Sequence, residues 1–295
     1  MSARILDGNE IAAAMREELR SEVEELREQR QITPGLAVVL VGDDPASQSY
    51  VRNKGKACRD VGIHSVQRNL EASATLDEVL EEVERLNADP AIHGILVQLP
   101  LPDQDESQVL NAIAPGKDVD GLHPLNLGKL LRQEEGFLPC TPHGVQQILL
   151  RSGIPIAGQH VVVVGRSTLV GRPVANILLQ KAEDANATVT LCHSGTADLA
   201  AHTRSGDIVI VAAGHAQMIG ADMIRDGATV IDVGINFIPD PTRKSGRRMV
   251  GDVDFEAASQ VAGAITPVPG GVGPMTITML LYNTIWSAKR HHGPN

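Results

Sequence analysis

The sequence predicts an α/β protein of two lobes flanking a cleft, the second a Rossmann-like nucleotide-binding domain with a mainly parallel sheet. Three observations carry that prediction. Short apolar runs alternate with amphipathic helical stretches, which is the βαβ rhythm of a parallel sheet. The run HVVVVG opens directly into a glycine-bearing turn and a helix start across residues 160–173. The length of 295 residues, 42% of them hydrophobic, suffices for about two packed domains.

The elements follow in order. Residues 9–30 carry Ile11, Met15, Leu19, Val23 and Leu26 on one side and dense charge on the other, the pattern of an amphipathic helix. LAVVLVG (36–42) is an apolar run closed by glycine, which suits a buried strand. A helix over 48–61, a strand near 63–70 and a helix over 76–87 come next, the last opening on Thr75, Asp77 and Glu78. IHGILVQLP (92–100) is a further apolar run, stopped by Pro100 and Pro102. Residues 114–140 read as a loop-rich connector.

The second α/β stretch opens with a helix over 142–152, where Pro142 can take a first helical position. HVVVVG, ATVTLCHS, DIVIVAAG and TVIDVGIN are its strands. The polar, basic segment 239–249 reads as a surface loop or hairpin, and 274–290 as a last helix. Residues 1–140, joined by the closing helix within 274–295, are expected to form one domain, and 141–273 the nucleotide-binding domain.

Composition excludes several classes. A net charge of −10 and 2% aromatic residues argue against nucleic acid, which needs basic patches and stacking platforms. No apolar run approaches the roughly 18 residues of a membrane span, and the N-terminus lacks a signal layout. Three scattered cysteines favour neither a disulfide framework nor a metal site. The chain is expected to be soluble and cytoplasmic.

Two regions carry candidate chemistry. In SYVRNK, Tyr50 and Lys54 stand four apart and share a helix face. That spacing alone also describes a solvated helix. It matches the catalytic pair of short-chain dehydrogenases, but those place the glycine-rich turn first and the pair far downstream, the reverse of the order here. In open parallel sheets, ligands sit beyond the carboxyl ends of strands. Tyr50 and Lys54 follow one such strand, Gln98 closes another, and Asp118 and Asp120 lie in the connector beyond. A desolvated lysine there can act as a general base near neutral pH.

The second region is the turn Gly165-x-Ser167-x-x-x-Gly171, a departure from G-x-G-x-x-G that still presents helix N–H groups to a phosphate. The next strand ends in TLCHS, with no acid to take a ribose 2′-hydroxyl. Arg166 and Ser194 could instead hold a 2′-phosphate, which favours NADP over NAD.

ITPVPGGVGPMT (265–276), taken with SYVRNK, GILVQLPLP, PGKDVDGLHPLN, PCTPHG, GRSTLVGRP and VIDVGIN, resembles one family over nearly the whole chain. That family is the bifunctional methylenetetrahydrofolate dehydrogenase/methenyltetrahydrofolate cyclohydrolase. The resemblance implies oxidation of 5,10-methylenetetrahydrofolate with NADP, then hydrolysis to 10-formyltetrahydrofolate. It implies Lys54 as the central catalytic residue, Gln98 bonded to it, and Tyr50 as the platform for the folate rings. Asp120 would hold the pterin's donor edge, and Val268, Pro269, Gly270 and Gly273 would line the folate pocket. Gly165, Arg166, Ser167, Ser194 and Ile235 would contact NADP. No metal is required, and a homodimer formed through the nucleotide domains is implied. A dehydrogenase-only relative and a non-catalytic NADP-binding protein are the alternatives.

Overall fold

A computed structural model describes residues 2–243 and 245–291, divided into two compact units. One unit comprises Ala13–Cys140 and the chain from Ile277 on; the other comprises the residues through Ala12 and Thr141–Thr276. In chain order the first half contains β1 (Arg4–Ile5), α1 (Gly8–Arg30), β2 (Gly35–Val41), α2 (Pro45–Val61), β3 (His64–Leu70) and α3 (Leu76–Ala88). It continues with β4 (Gly94–Val97), α4 (Glu106–Ala112), α5 (Pro124–Arg132) and α6 (Cys140–Arg151). The second half contains β5 (His160–Val164), α7 (Gly171–Leu178), β6 (Thr188–Cys192), α8 (Leu199–Ser205), β7 (Ile208–Val211) and β8 (Thr229–Asp232). It ends with β9 (Asn236–Pro239), β10 (Arg247–Val250), α9 (Phe255–Ala258), β11 (Ala264–Ile265) and α10 (Val272–His291).

The unit that contains Lys54 is built on a parallel three-stranded sheet ordered β3-β2-β4. β2 is the central strand, and every one of its residues is buried, as expected for a parallel strand covered on both faces. Ala37, Val39 and Val41 point into a core with Val79, Val83 and Leu86 of α3 and Val109 of α4. Each such side chain contributes roughly 1.5–3 kcal/mol by leaving water. α3 begins at a capping box in which Thr75 and Glu78 satisfy each other's backbone N–H groups. α2 begins at Asp44, whose side chain accepts from the Ser47 N–H at 2.7 Å.

The other unit is built on a six-stranded parallel sheet ordered β1-β11-β8-β7-β5-β6. Val161 to Val164 and Ile208 to Val211 are buried at its centre. Its edge strand β6 is only partly covered.

Two expectations are revised and one is met. The N-terminal segment was expected with the first lobe, but β1 pairs with β11, Ala3 N–H donates to the Ser259 carbonyl at 2.8 Å, and residues through Ala12 join the nucleotide-type unit. The connector over 114–140 is also less irregular than expected, because α5 interrupts it, and α4 stands just before it. Of the two readings of 239–249, loop or hairpin, the structure has the hairpin, formed by the antiparallel pair β9 and β10.

Candidate active site

The loop KDVDG (117–121) is shaped by where its polar side chains go. A Cβ at Gly94 would meet Val119 Cγ1 at 2.7 Å, so only glycine lets the loop lie this close to β4. Ile95 N–H donates to the Lys117 carbonyl at 2.8 Å, extending the parallel pairing. Lys117 is buried and its Nζ donates to the carbonyls of Leu86, Asn87 and Asp89, closing the C-terminal end of α3. Asp118 is buried too. Its carboxylate accepts from Leu122 N–H (3.2 Å), His123 N–H (2.8 Å) and Asn126 Nδ2 (2.8 Å), which fixes the entry to α5. Asp120 is left half-buried. The structure thus separates two aspartates that spacing alone could not.

Lys54 lies on α2, nine-tenths buried, and Nζ donates to Gln98 Oε1 at 3.0 Å. Gln98 is itself held. Its backbone N–H donates to the Val39 carbonyl at 2.9 Å and its Nε2 to the Leu99 carbonyl at 2.7 Å. The amide's donor end is therefore occupied, and its oxygen faces the lysine. Burial lowers the Lys54 pKa, with the nearby Asp120 carboxylate pulling in the opposite direction. Tyr50 stands one turn earlier on α2, 36% exposed, with its phenol pKa raised by burial. Cys140 is fully enclosed beside Asp120, and burial holds its thiol pKa well above the ordinary value, so it acts as a small packing group.

In the other unit, β5 ends at Gly165, whose φ of +120° lies where side chains are disfavoured. A Cβ there would meet the Ala212 carbonyl oxygen at 2.1 Å. The Ser167 hydroxyl accepts from the Val170 and Gly171 N–H groups at 3.1 and 3.4 Å, at the start of α7. Since those bonds use the oxygen's lone pairs, the hydroxyl hydrogen remains to donate outward. Arg166, Ser194 and Ile235 are exposed, the last at 48%. No carboxylate ends β6, which runs from Cys192 into His193 and Ser194. A cradle that tolerates no Cβ, with a cation beside it and no acid at the β6 end, fits a dinucleotide bearing a 2′-phosphate. Val268, Pro269, Gly270 and Gly273 also lie in this unit, where Gly270 has a φ of +107° and the Val268–Pro269 peptide bond is cis.

Sequence reasoning passed over a pair of buried aspartates in this unit. Asp232, at the end of β8, accepts from the N–H groups of Gly234, Asp252 and Val253, each at 2.9 Å. Asp252 accepts from Ala213 and Gly214 N–H (2.7 and 2.8 Å) and from Asn236 Nδ2 (2.8 Å). Together they tie the loops after β7 and β8 to the segment after β10. The repeated Asp in IDVG and GDVD is the signal that could have revealed them. Asp252→Ala leaves two backbone N–H groups and an amide without their acceptor, so a loss of about 2–3 kcal/mol in urea unfolding is expected. A stability within about 0.5 kcal/mol of the parent would refute it.

Burial raises the pKa of both Asp118 and Asp232 to about 6. Their ordinary value is 3.8, so between about pH 4 and 6 the folded chain binds more protons than the unfolded chain. Their joint contribution to stability is therefore full below that window and declines as pH rises through it. Thermal unfolding across pH 4–6 should show this decline flattened in Asp118→Asn. An identical slope would exclude Asp118 as a source.

Comparison with known proteins agrees with this layout. Residues 6–120 match the model of the tetrahydrofolate dehydrogenase/cyclohydrolase catalytic domain, and residues 139–292 that of its NAD(P)-binding domain. The bifunctional protein FolD of Dehalococcoides mccartyi is 59% identical over 294 residues, 99% of each chain. The crystal structure of bifunctional FolD from Campylobacter jejuni superposes with a TM-score of 0.90 at 48% identity, covering 97% of this chain and 99% of that one. The Trypanosoma brucei enzyme, solved with NADP and an inhibitor, gives 0.93 at 42% identity over 98% of each chain.

Proposed function

From the premise that this chain belongs to the tetrahydrofolate dehydrogenase/cyclohydrolase family, we propose that Lys54, held by Gln98, is the proton-handling group of its reaction. The chain oxidises 5,10-methylenetetrahydrofolate to 5,10-methenyltetrahydrofolate with NADP, then hydrolyses that product to 10-formyltetrahydrofolate, within one-carbon metabolism.

In the dehydrogenase step, NADP when bound supplies the hydride acceptor. The chain's own contribution is positioning. Tyr50 offers a flat, half-exposed platform for the folate rings, and Asp120 an acceptor for the pterin's N–H donors. Val268, Pro269, Gly270 and Gly273, in the other unit, are the further residues we assign to the folate. NADP would be held by Gly165, where the turn leaves no room for a Cβ, by the Ser167 hydroxyl, by Arg166 and Ser194 at the 2′-phosphate, and by Ile235.

In the cyclohydrolase step, neutral Lys54 takes a proton from the water that adds to the methenyl carbon. The resulting ammonium returns a proton to ring nitrogen N5 as its bond to that carbon breaks. The formyl group stays on N10, and one proton is released overall. Gln98 keeps Nζ on that line. The observation that supports this most is the buried Nζ with a pKa lowered by burial, directed by an amide whose nitrogen is itself bonded to the Leu99 carbonyl.

The test is spectroscopic. With methylene-folate and NADP, absorbance of the reduced nicotinamide should rise, and added methenyl-folate should be consumed at the same site. Undiminished methenyl-folate would reduce the chain to a dehydrogenase alone, and no nicotinamide signal would leave only a binding protein. We further read the chain as a cytoplasmic homodimer joined through its nucleotide-binding units. The free edge at β6, with Leu179 and Leu191 exposed, supports that reading. No helix among the described residues is long and apolar enough to cross a membrane. Sedimentation should give twice the chain mass of 31.4 kDa.

A further inference from the structure

Among the buried polar side chains of α10, Asn283 and Ser287 stand one turn apart where an apolar helix face would pack at less cost. Burying an amide or hydroxyl is unfavourable unless each polar atom finds a partner. Ser287 Oγ bonds to the carbonyls of His93 (2.6 Å) and Gly116 (2.9 Å). Asn283, 3% exposed, donates from Nδ2 to the carbonyls of Val119 at 2.8 Å and Leu138 at 3.0 Å. The acceptors are not scattered. Gly116 and Val119 lie in the loop that delivers Asp120, and Leu138 in the segment that runs beside it.

That segment closes the frame. Cys140 N–H donates to the Asp120 carbonyl at 3.3 Å, and Cys140 Sγ to the Val119 carbonyl at 3.2 Å. Asn283 Nδ2 lies 3.7 Å from the same sulfur. Both backbone carbonyls that bracket the Asp120 amide are thus held, one by Asn283 and Cys140 together, the other by the Cys140 N–H. Only the Asp120 side chain is left to turn.

We infer that Asn283 is a positioning residue for folate binding, because its single amide ties the peptide preceding Asp120 to the 138–140 segment. The inference rests on the reading of Asp120 as the pterin anchor. Asn283 itself touches no substrate. It fixes the origin from which the Asp120 carboxylate reaches, and Lys54 feels the same carboxylate. Small displacements of such a group are expensive for a reaction that depends on alignment.

The experiment uses the full-length enzyme in four forms: parent, Asn283→Ala, Asp120→Asn and the double variant. Initial rates with methylene-folate give KM and kcat, and calorimetry gives the NADP Kd. Asn283→Ala should raise the folate KM about tenfold and change the NADP Kd less than twofold. In the Asp120→Asn background the same change should add less than twofold, since the residue acts through Asp120. Asn283→Gln, which keeps both donors, should recover part of the loss. If Asn283→Ala does not fold, Asn283→Ser is measured in its place. An unchanged folate KM overturns the inference. So does an NADP Kd that rises in parallel, or a full tenfold effect persisting without Asp120. An Asp120→Asn enzyme with the parent's folate KM would instead remove the anchor reading and, with it, this inference.

Discussion

Lys54→Met should lower the rate of methenyl-folate hydrolysis by about 10²–10⁴, the range general acid–base groups supply, while NADP still binds with its parent Kd. Methionine nearly matches the lysine stem in length and is apolar, so the nine-tenths-buried site stays filled and only the nitrogen is lost. Gln98 then loses the Lys54 ammonium, but its Nε2 bond to the Leu99 carbonyl and its backbone bond to Val39 keep it in place. The pH profile adds a second signature. Burial lowers the Lys54 pKa from its ordinary 10.5, so hydrolysis should rise with pH through an apparent pKa below that value. Asp120 favours the ammonium form, and its replacement by Asn should move the limb to still lower pH. In Lys54→Met the limb should vanish. A variant that hydrolyses methenyl-folate at the parent rate would exclude Lys54 from proton transfer.

What the sequence made legible follows physical reach. The long valine and isoleucine runs that became β2, β5 and β7 announce buried parallel strands by themselves, because both faces must be apolar. β1 and β11 are two residues each, and nothing local marks them; β1 exists only because β11 is brought beside it, and β11 because it lies against β8. The helices α4 and α5 sit among prolines, aspartates and glycines that read as turns. Their starts are nonetheless capped, Asp105 accepting from Gln108 N–H and His123 from Leu125 N–H. Those caps were the available signal.

The same logic divides the site. Lys54 and Gln98 could be paired from the order of strand ends, and they are bonded. Asp118 and Asp120 could not be told apart, because the difference lies in which backbone N–H groups happen to point at them. Asn283 and Asp252 were invisible for the same reason. A polar residue within an apolar stretch says that a partner exists, while only the fold says which one.

Arg166→Gln should weaken NADP binding by about 30- to 150-fold, the equivalent of about 2–3 kcal/mol for a charge-assisted phosphate contact. NAD binding should change less than threefold. The argument runs from the environment of β6. A dinucleotide lacking the 2′-phosphate is ordinarily held by an acid at the end of this second strand, and here the strand ends in Cys192, His193 and Ser194. The exposed Arg166 makes no ion pair with a carboxylate among the described residues. Glutamine preserves length and some donor capacity but not charge, so the loss should fall on the phosphate alone. It should also shrink with salt, since an exposed contact is screened beyond about 10 Å at 0.1 M ionic strength. Calorimetric titrations of both cofactors at two salt concentrations separate these terms. Equal losses for NADP and NAD would move Arg166 from phosphate recognition to general support of the turn, and the preference for NADP would then have to rest on Ser194 and its neighbours.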